Sequence, residues 1–199
     1  MVLLAPSVRA DPGQHSVFTN FAAAMTPLNG GATMPGFAVC YQFDPIRYLP
    51  IGAVFSYEAP VKVNDNGLRY ELYSLEGAIY VGGRLAFDWM PGKTSTGFLG
   101  TLRKILMANE LQAGPIFGVS HYSQQVRGEK VRKATHPFAG VFMSWDVWFR
   151  EWFGIRHSVT LHWSLTEIVD GRKPFMRAEF VWGPAFRFSC SGPPGNGPE

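Results

Sequence analysis

The chain has 199 residues, 46% of them hydrophobic and only 17% charged, against the roughly 25% charged residues of an average soluble domain. The net charge is +3, and no run of Lys/Arg interleaves with aromatics, so nucleic acid is excluded as a partner. No stretch reaches the ~18 consecutive apolar residues of a transmembrane helix, so if this chain crosses a bilayer it does so with strands.

Residues 1–10, MVLLAPSVRA, end on the small-x-small pattern Val8-Arg9-Ala10 before Asp11-Pro12. Their apolar part falls short of the ~7–15 residues of a secretory h-region and follows no basic segment. A truncated signal segment and a plain disordered N-terminus both remain open. From there to residue 190 the chain reads as a single domain made almost wholly of strands. A first strand is expected at 16–25. The hairpin 36–43/51–58 sets Phe37, Val39, Tyr41 and Phe43 against Ala38, Cys40 and Gln42, and Phe55 and Tyr57 against Ser56 and Glu58, a period of two. At 70–89, Tyr73, Leu75, Ile79, Val81, Leu85 and Phe87 alternate with Glu76, Tyr80, Arg84 and Asp88. The phase carries through Gly82-Gly83, as it would in one long strand; a two-residue turn there would put Val81 and Arg84 on one face.

Residues 100–112 break the alternation. Leu102, Ile105 and Leu106 have helical spacing, so the segment reads either as a short amphipathic helix or as a poorly patterned strand. Strands resume at 113–122, 138–149, 156–169 and 175–188. In the seventh, Val159, Leu161, Trp163 and Leu165 oppose Ser158, Thr160, His162 and Ser164. In the eighth, Met176, Phe180, Trp182, Phe186 and Phe188 oppose Arg177, Glu179 and Arg187. Residues 191–199 read as a flexible tail. The expected fold is therefore all-β: eight antiparallel strands, an even number that can close up-and-down without an edge.

A soluble calycin-like barrel binding an apolar ligand would also alternate, with its apolar face inward. Three features favour the inverted arrangement of a transmembrane barrel. The mixed face is rich in Ser, Thr, Gly and Ala, and carries Glu76, Arg84, Asp88, Asp146, Arg156, Arg177, Glu179 and Arg187, with no Lys among them. Such a set suits charges paired in a narrow lumen, where the guanidinium fork makes bidentate contacts. Large aromatics gather where strands meet turns, as in an interfacial girdle: Trp145, Trp148, Phe149, Trp152, Phe153, Trp182, Phe186 and Phe188. Finally, tight turns at 44–50 and 150–155 alternate with polar loops at 26–35, 59–69, 123–137 and 169–174.

With alternating apolar residues that close on Phe186-Arg187-Phe188, this pattern resembles the small outer-membrane β-barrel superfamily of OmpA, OmpX, OmpW and opacity type. The resemblance implies residence in a bacterial outer membrane, contact with its lipid and lipopolysaccharide, and delivery by the barrel-assembly machinery. It also implies an envelope-structural or adhesin-like role without a wide pore, since eight strands leave an interior filled by side chains.

Other candidate sites are sparse. His121 and Ser123 share a strand face in a His-x-Ser that resembles outer-membrane lipid A deacylases. Gln124 replaces that family's Asn, and Thr135 stands where its carboxylate is expected. His162 is expected to be a lumen hydrogen-bonding residue. Residues 124–136 carry Arg127, Lys130, Arg132 and Lys133 against Glu129, a basic extracellular loop suited to phosphates or to an acidic host or surface ligand. Cys40 and Cys190 lack metal-ligand spacing, so neither metal nor cofactor is expected, and their pairing stays open.

Overall fold

The structure, a computed structural model, describes residues 12–25, 33–65, 68–87, 108–126, 132–166 and 176–189. The segments 1–10 and 191–199, and also Cys190, lie outside them. The described residues form strands β1 (Gln14–Met25), β2 (Thr33–Ile46), β3 (Leu49–Asp65), β4 (Leu68–Val81), β5 (Gly83–Phe87), β6 (Ala108–Val126), β7 (Arg132–Trp148), β8 (Phe153–Ser164) and β9 (Met176–Ser189). All neighbours are antiparallel, in the order β4-β3-β2-β1-β9-β8-β7-β6-β5, and β4 pairs with β6 to close the sheet on itself.

β4 and β5 are one barrel strand. The pairs Tyr80↔Ile116 and Gly83↔Ala113 keep a single register with β6 across Gly82. The amide of Gly82 donates to the carbonyl of Pro50 at 2.9 Å and that of Arg84 to Tyr48 at 3.0 Å, so the wall is continuous through the break. The barrel therefore has eight strands, and the long strand expected at 70–89 is present over its described part.

Of the two readings of 100–112, the helix is not found in the described part. Ala108–Gln112 opens β6 and pairs with both β5 and β7. The physical reason is period two: Leu111 faces outward while Glu110 and Gln112 are buried in the lumen. Residues 100–107, which carry the helical spacing, lie outside the described residues.

Side chains divide by strand parity. Phe21, Phe37, Phe55, Ile79, Phe117, Met143, Phe180 and Trp182 are exposed on the outer wall. Ser16, Gln42, Asp44, Glu58, Ser74, Glu76, Glu110, Asp146, Arg156 and Arg177 are buried inside. Trp163 is 44% exposed, whereas Arg177, which pairs with the preceding residue His162 across β8 and β9, is 0% exposed. The arrangement is the reverse of a soluble calycin barrel, and it is the one a bilayer requires: apolar outside, polar groups paired within.

Large inward rings are seated opposite glycines. A Cβ on Gly52 would lie 2.3 Å from the Tyr80 ring, and one on Gly118 would lie 2.5 Å from Phe138 and 2.4 Å from the Gly77 carbonyl. Gly52↔Tyr80 and Gly118↔Phe138 are direct cross-strand pairs, so each ring lies flat against the wall that the missing side chain leaves clear. Gly118→Val is expected to cost about 1–3 kcal/mol by overpacking. Gly77→Ala, with open space around it, is expected to stay within about 0.5 kcal/mol. Urea titration of the refolded barrel checks both.

Pro184 lies within β9, which should lose a ladder donor. The β1–β9 ladder skips the two positions Gly183 and Pro184, opposite Asn20 and Thr19, and resumes in the same register on both sides. On the β8 side, the pairs Ile155↔Pro184 and Arg156↔Gly183 are intact. The missing donor thus falls on one local gap in the wall.

Candidate functional site

The barrel has an inner end and an outer end. At the inner end, β2 turns into β3 at Arg47–Tyr48, β7 turns into β8 over 149–152, and the first and last strand residues, Gln14 and Ser189, pair. The connection 88–107, with Asp88, starts and finishes there but lies outside the described residues. The outer-end connections 26–32, 66–67, 127–131 and 167–175 likewise lie outside them.

Two ionic networks fill the lumen. The inner one starts from Arg84, whose Nη2 lies 2.6 Å from Asp44 Oδ1 and whose Nε lies 3.5 Å from Glu110 Oε2. Arg187 Nη2 donates to the same Glu110 oxygen at 2.7 Å, and its guanidinium lies 3.7 Å above the Trp148 ring. One layer outward, Arg156 forks onto Asp146, with Nε donating to Oδ1 at 2.7 Å and Nη2 to Oδ2 at 2.6 Å. It also donates to Gln42 Oε1 at 2.9 Å and the Tyr80 hydroxyl at 3.3 Å, and sits 3.4 Å over the Phe18 ring. Asp146 and Arg156 are a cross-strand pair, so the turn at 149–152 fixes the bidentate geometry.

The outer network centres on Arg177. It contacts Glu58 through Nη2, and through Nη1 it lies 2.8 Å from Glu76 Oε1 while donating to Ser74 Oγ at 2.9 Å and the Tyr122 hydroxyl at 3.0 Å. Ser74 in turn donates to Glu58, and Ser120 donates to Glu76 at 2.7 Å. His162 Nε2 lies 3.8 Å from Glu76 Oε1, and its ring packs 4.1 Å from that of Phe138. Between the networks, Phe18, Tyr80, Ile116, Phe138 and Phe142 form an apolar plug beside the free thiol of Cys40. The interior retains a cavity of about 30 Å³.

Of the lumen residues expected from sequence, Glu76, Arg84, Asp146, Arg156, His162, Arg177, Glu179 and Arg187 all point inward and are buried. Sequence reasoning left Asp44, Glu58, Glu110, Gln42 and Gln112 out of the network. Glu58 was on the polar face of its hairpin and could have been found by phase alone. Glu110 was masked by the helical reading of its segment.

Of the girdle set, Phe149, Trp152, Phe153 and Phe186 do meet on the inner rim, with ring centroids 5.7–6.0 Å apart. Phe188 stacks on His15 there at 5.8 Å. Trp145 and Trp182 flank His157 one row further up the wall. Trp148 is a correction: it is 0% exposed and lies inside the lumen, because it shares parity with Ser144 and Asp146.

His121 and Ser123 lie on one strand, as expected. His121 Nδ1 bonds Thr135 Oγ1 at 2.8 Å, and Ser123 is 1% exposed with its hydroxyl unpartnered. Among the described residues no carboxylate orients His121, the element that a His-activated serine needs. In the basic stretch 124–136, both flanks are strand, and only 127–131, with Arg127 and Lys130, lies outside the described residues. Lys133 is exposed on β7, and Arg132 opens that strand.

No protein-family model matches the chain, and no curated protein matches it. Solved structures do. Neisserial surface protein A superposes with a TM-score of 0.52 at 13% identity, covering 88% of this chain and 96% of that one. OprG of Pseudomonas aeruginosa gives 0.52 at 11% identity, over 92% and 99%. Ail of Yersinia pestis, in complex with the heparin analogue sucrose octasulfate, gives 0.51 at 12% identity, over 89% and 99%. The fold is that of the small outer-membrane β-barrels. At these identities the likeness carries the fold alone; the distribution of this outer-membrane-type barrel's own side chains says what its wall and lumen do. Its exterior is a bilayer surface, and its interior is an ion-paired core.

Proposed function

We propose that this barrel is a closed, non-enzymatic envelope protein that works through its outer rim, binding phosphorylated or sulfated polyanions such as lipopolysaccharide headgroups or acidic surface glycans. The observation behind this reading is the uneven height of the wall. The last β7–β8 pair is Phe138↔Ser164, yet β6 and β7 stay paired up to Gln124↔Arg132. Residues 132–137 thus add on the order of 20 Å of strand beyond that neighbour. β3 and β4 rise beside them, pairing up to Asp65↔Leu68 past the last β2–β3 pair at Gly36↔Glu58. The sequence that joins β6 to β7 and opens β7 carries Arg127, Lys130, Arg132 and Lys133. A stretch of sequence this rich in Arg and Lys suits multivalent anions, and the bound sulfated ligand of the Ail structure is of that chemical class. Delivery by the barrel-assembly machinery, through the aromatic-ended β9, belongs to the same reading.

The test is binding of the refolded barrel to immobilised heparin and to lipopolysaccharide vesicles. At ~1 kcal/mol per cation near an anionic surface, neutralising Arg127, Lys130, Arg132 and Lys133 to Gln is expected to weaken binding at least ~10-fold. The parent's affinity should also fall as salt rises. Equal affinity of parent and variant for both surfaces would overturn the reading.

A further inference from the structure

The three glutamates of the outer network are not equivalent. Glu58 takes Nη2 of Arg177 on one oxygen and the hydroxyl of Ser74 on the other. Glu76 takes Nη1 of Arg177 at 2.8 Å and the hydroxyl of Ser120 at 2.7 Å. Glu179 is also buried, but among the described residues no guanidinium forms an ion pair with it. An ionised carboxylate without a cation in a dry interior is costly.

Ser56 supplies a second, independent observation. It is buried between Glu58 and Glu179 and hydrogen-bonds to both. A serine hydroxyl carries one proton, so it donates to one partner and any second partner must donate to it. Two ionised carboxylates offer acceptors only. The bridge Glu58–Ser56–Glu179 is therefore complete only when one of the two acids keeps its proton. Glu58, held by Arg177 and Ser74, is the ionised end. Glu179, which has no guanidinium, is the other.

The other groups around Glu179 point the same way. Glu76 on β4 adds a negative charge, and Arg177 on β9 is engaged by Glu58 and Glu76. On β8, Arg156 is forked onto Asp146. His162 lies 3.8 Å from Glu76 but directly opposite Arg177 in the β8–β9 ladder, where a charged ring would meet a guanidinium. The Tyr122 hydroxyl of β6 is bonded to Arg177 and the Tyr80 hydroxyl of β4 to Arg156. On the chamber that Glu179 lines, β1, β2 and β7 bring no cation, only Asn20, the Cys40 thiol and Ser144 among their polar groups. We propose that Glu179 is a built-in proton site: at neutral pH its carboxyl stays un-ionised and donates to Ser56, which donates to Glu58. With Glu179 neutral, Arg177 faces two carboxylates rather than three. Loss of the proton breaks the bridge and loosens the outer half of the lumen, so the barrel is braced in neutral or acidic surroundings and weakened in alkaline ones.

The experiment uses the whole refolded barrel in zwitterionic detergent. A proton bound more tightly by the folded barrel than by the unfolded chain stabilises the fold at low pH, and the gain is lost as pH rises and the proton leaves. Glu179→Gln keeps a donor for Ser56 and does not titrate. Urea titrations of parent and variant are compared from about pH 5 to about pH 7, where an unfolded glutamate has already lost its proton. The ratio of the variant's folding constant to the parent's is expected to rise about tenfold per pH unit, the signature of one proton. A ratio independent of pH overturns the proposal. The infrared spectrum of the folded parent at pH 7 needs no variant. It is expected to show the carbonyl stretch of an un-ionised carboxyl, and its absence overturns the proposal by leaving the proton on His162 or on no group. The band should vanish in Glu179→Gln and survive in Glu58→Gln. The reverse pattern places the proton on Glu58 and likewise overturns the assignment.

Discussion

Replacing Arg177 with Met is expected to destabilise the folded barrel by about 3–5 kcal/mol, the cost of removing one partner from a buried ion pair. Arg177 is fully buried and is the one guanidinium among the described residues that reaches Glu58 and Glu76. Methionine preserves much of the side chain's bulk but strands both carboxylates in the interior, and it also leaves the Ser74 and Tyr122 hydroxyls without their donor. Arg177→Lys should recover only part of the loss, because a point-charge ammonium cannot fork across two acids as the guanidinium does. Adding Glu58→Gln to Arg177→Met should recover more, since it removes a charge that the first change orphaned. Urea titration of the three variants in the same detergent reads the order directly. A loss below about 1 kcal/mol for Arg177→Met would show that water, not Arg177, satisfies the outer acids.

The individual strand faces were legible in the sequence; the pairing across the lumen was not. The alternation of Val159, Leu161 and Trp163 with Ser158, Thr160 and His162 needs only a period of two, and the structure keeps it. The Asp146–Arg156 fork is nearly as local, because the two residues face each other across a tight turn. Arg177 and Glu58, by contrast, are separated by 119 positions and meet only because the sheet closes with a particular stagger, which no local pattern encodes. Glu110 shows a different failure. Leu102, Ile105 and Leu106 suggested a helix, and extending it to 112 hid an inward carboxylate whose strand begins at Ala108. Trp148 shows a third. Its type and its position near a turn suggested the girdle, but its parity with Asp146 placed it in the lumen, where Gly154 leaves room for its ring. Parity outranks residue type in a barrel wall, because a one-residue change of phase exchanges lipid for lumen.

The same parity makes the outer wall testable residue by residue. Met143 pairs with Val159, and Val159 pairs with Phe180. This row crosses the wall near the middle of β8, and Met143 is 62% exposed. On a water-facing surface, Met143→Arg would fall within about 0.5 kcal/mol of the parent. Facing hydrocarbon at mid-depth, it is expected to cost about 2–4 kcal/mol, whereas Phe188→Arg at the inner rim should cost only about 0–1 kcal/mol. The measurement is reversible folding of each variant into phospholipid vesicles. The difference between the two positions carries the argument, because a general intolerance of arginine would penalise both alike. A steep cost at Met143 that fades at Phe188 means the wall lies in a bilayer with its middle near the Met143–Val159–Phe180 row. Equal small costs would return the exposed apolar wall to water and remove the physical reason for burying so many charges inside.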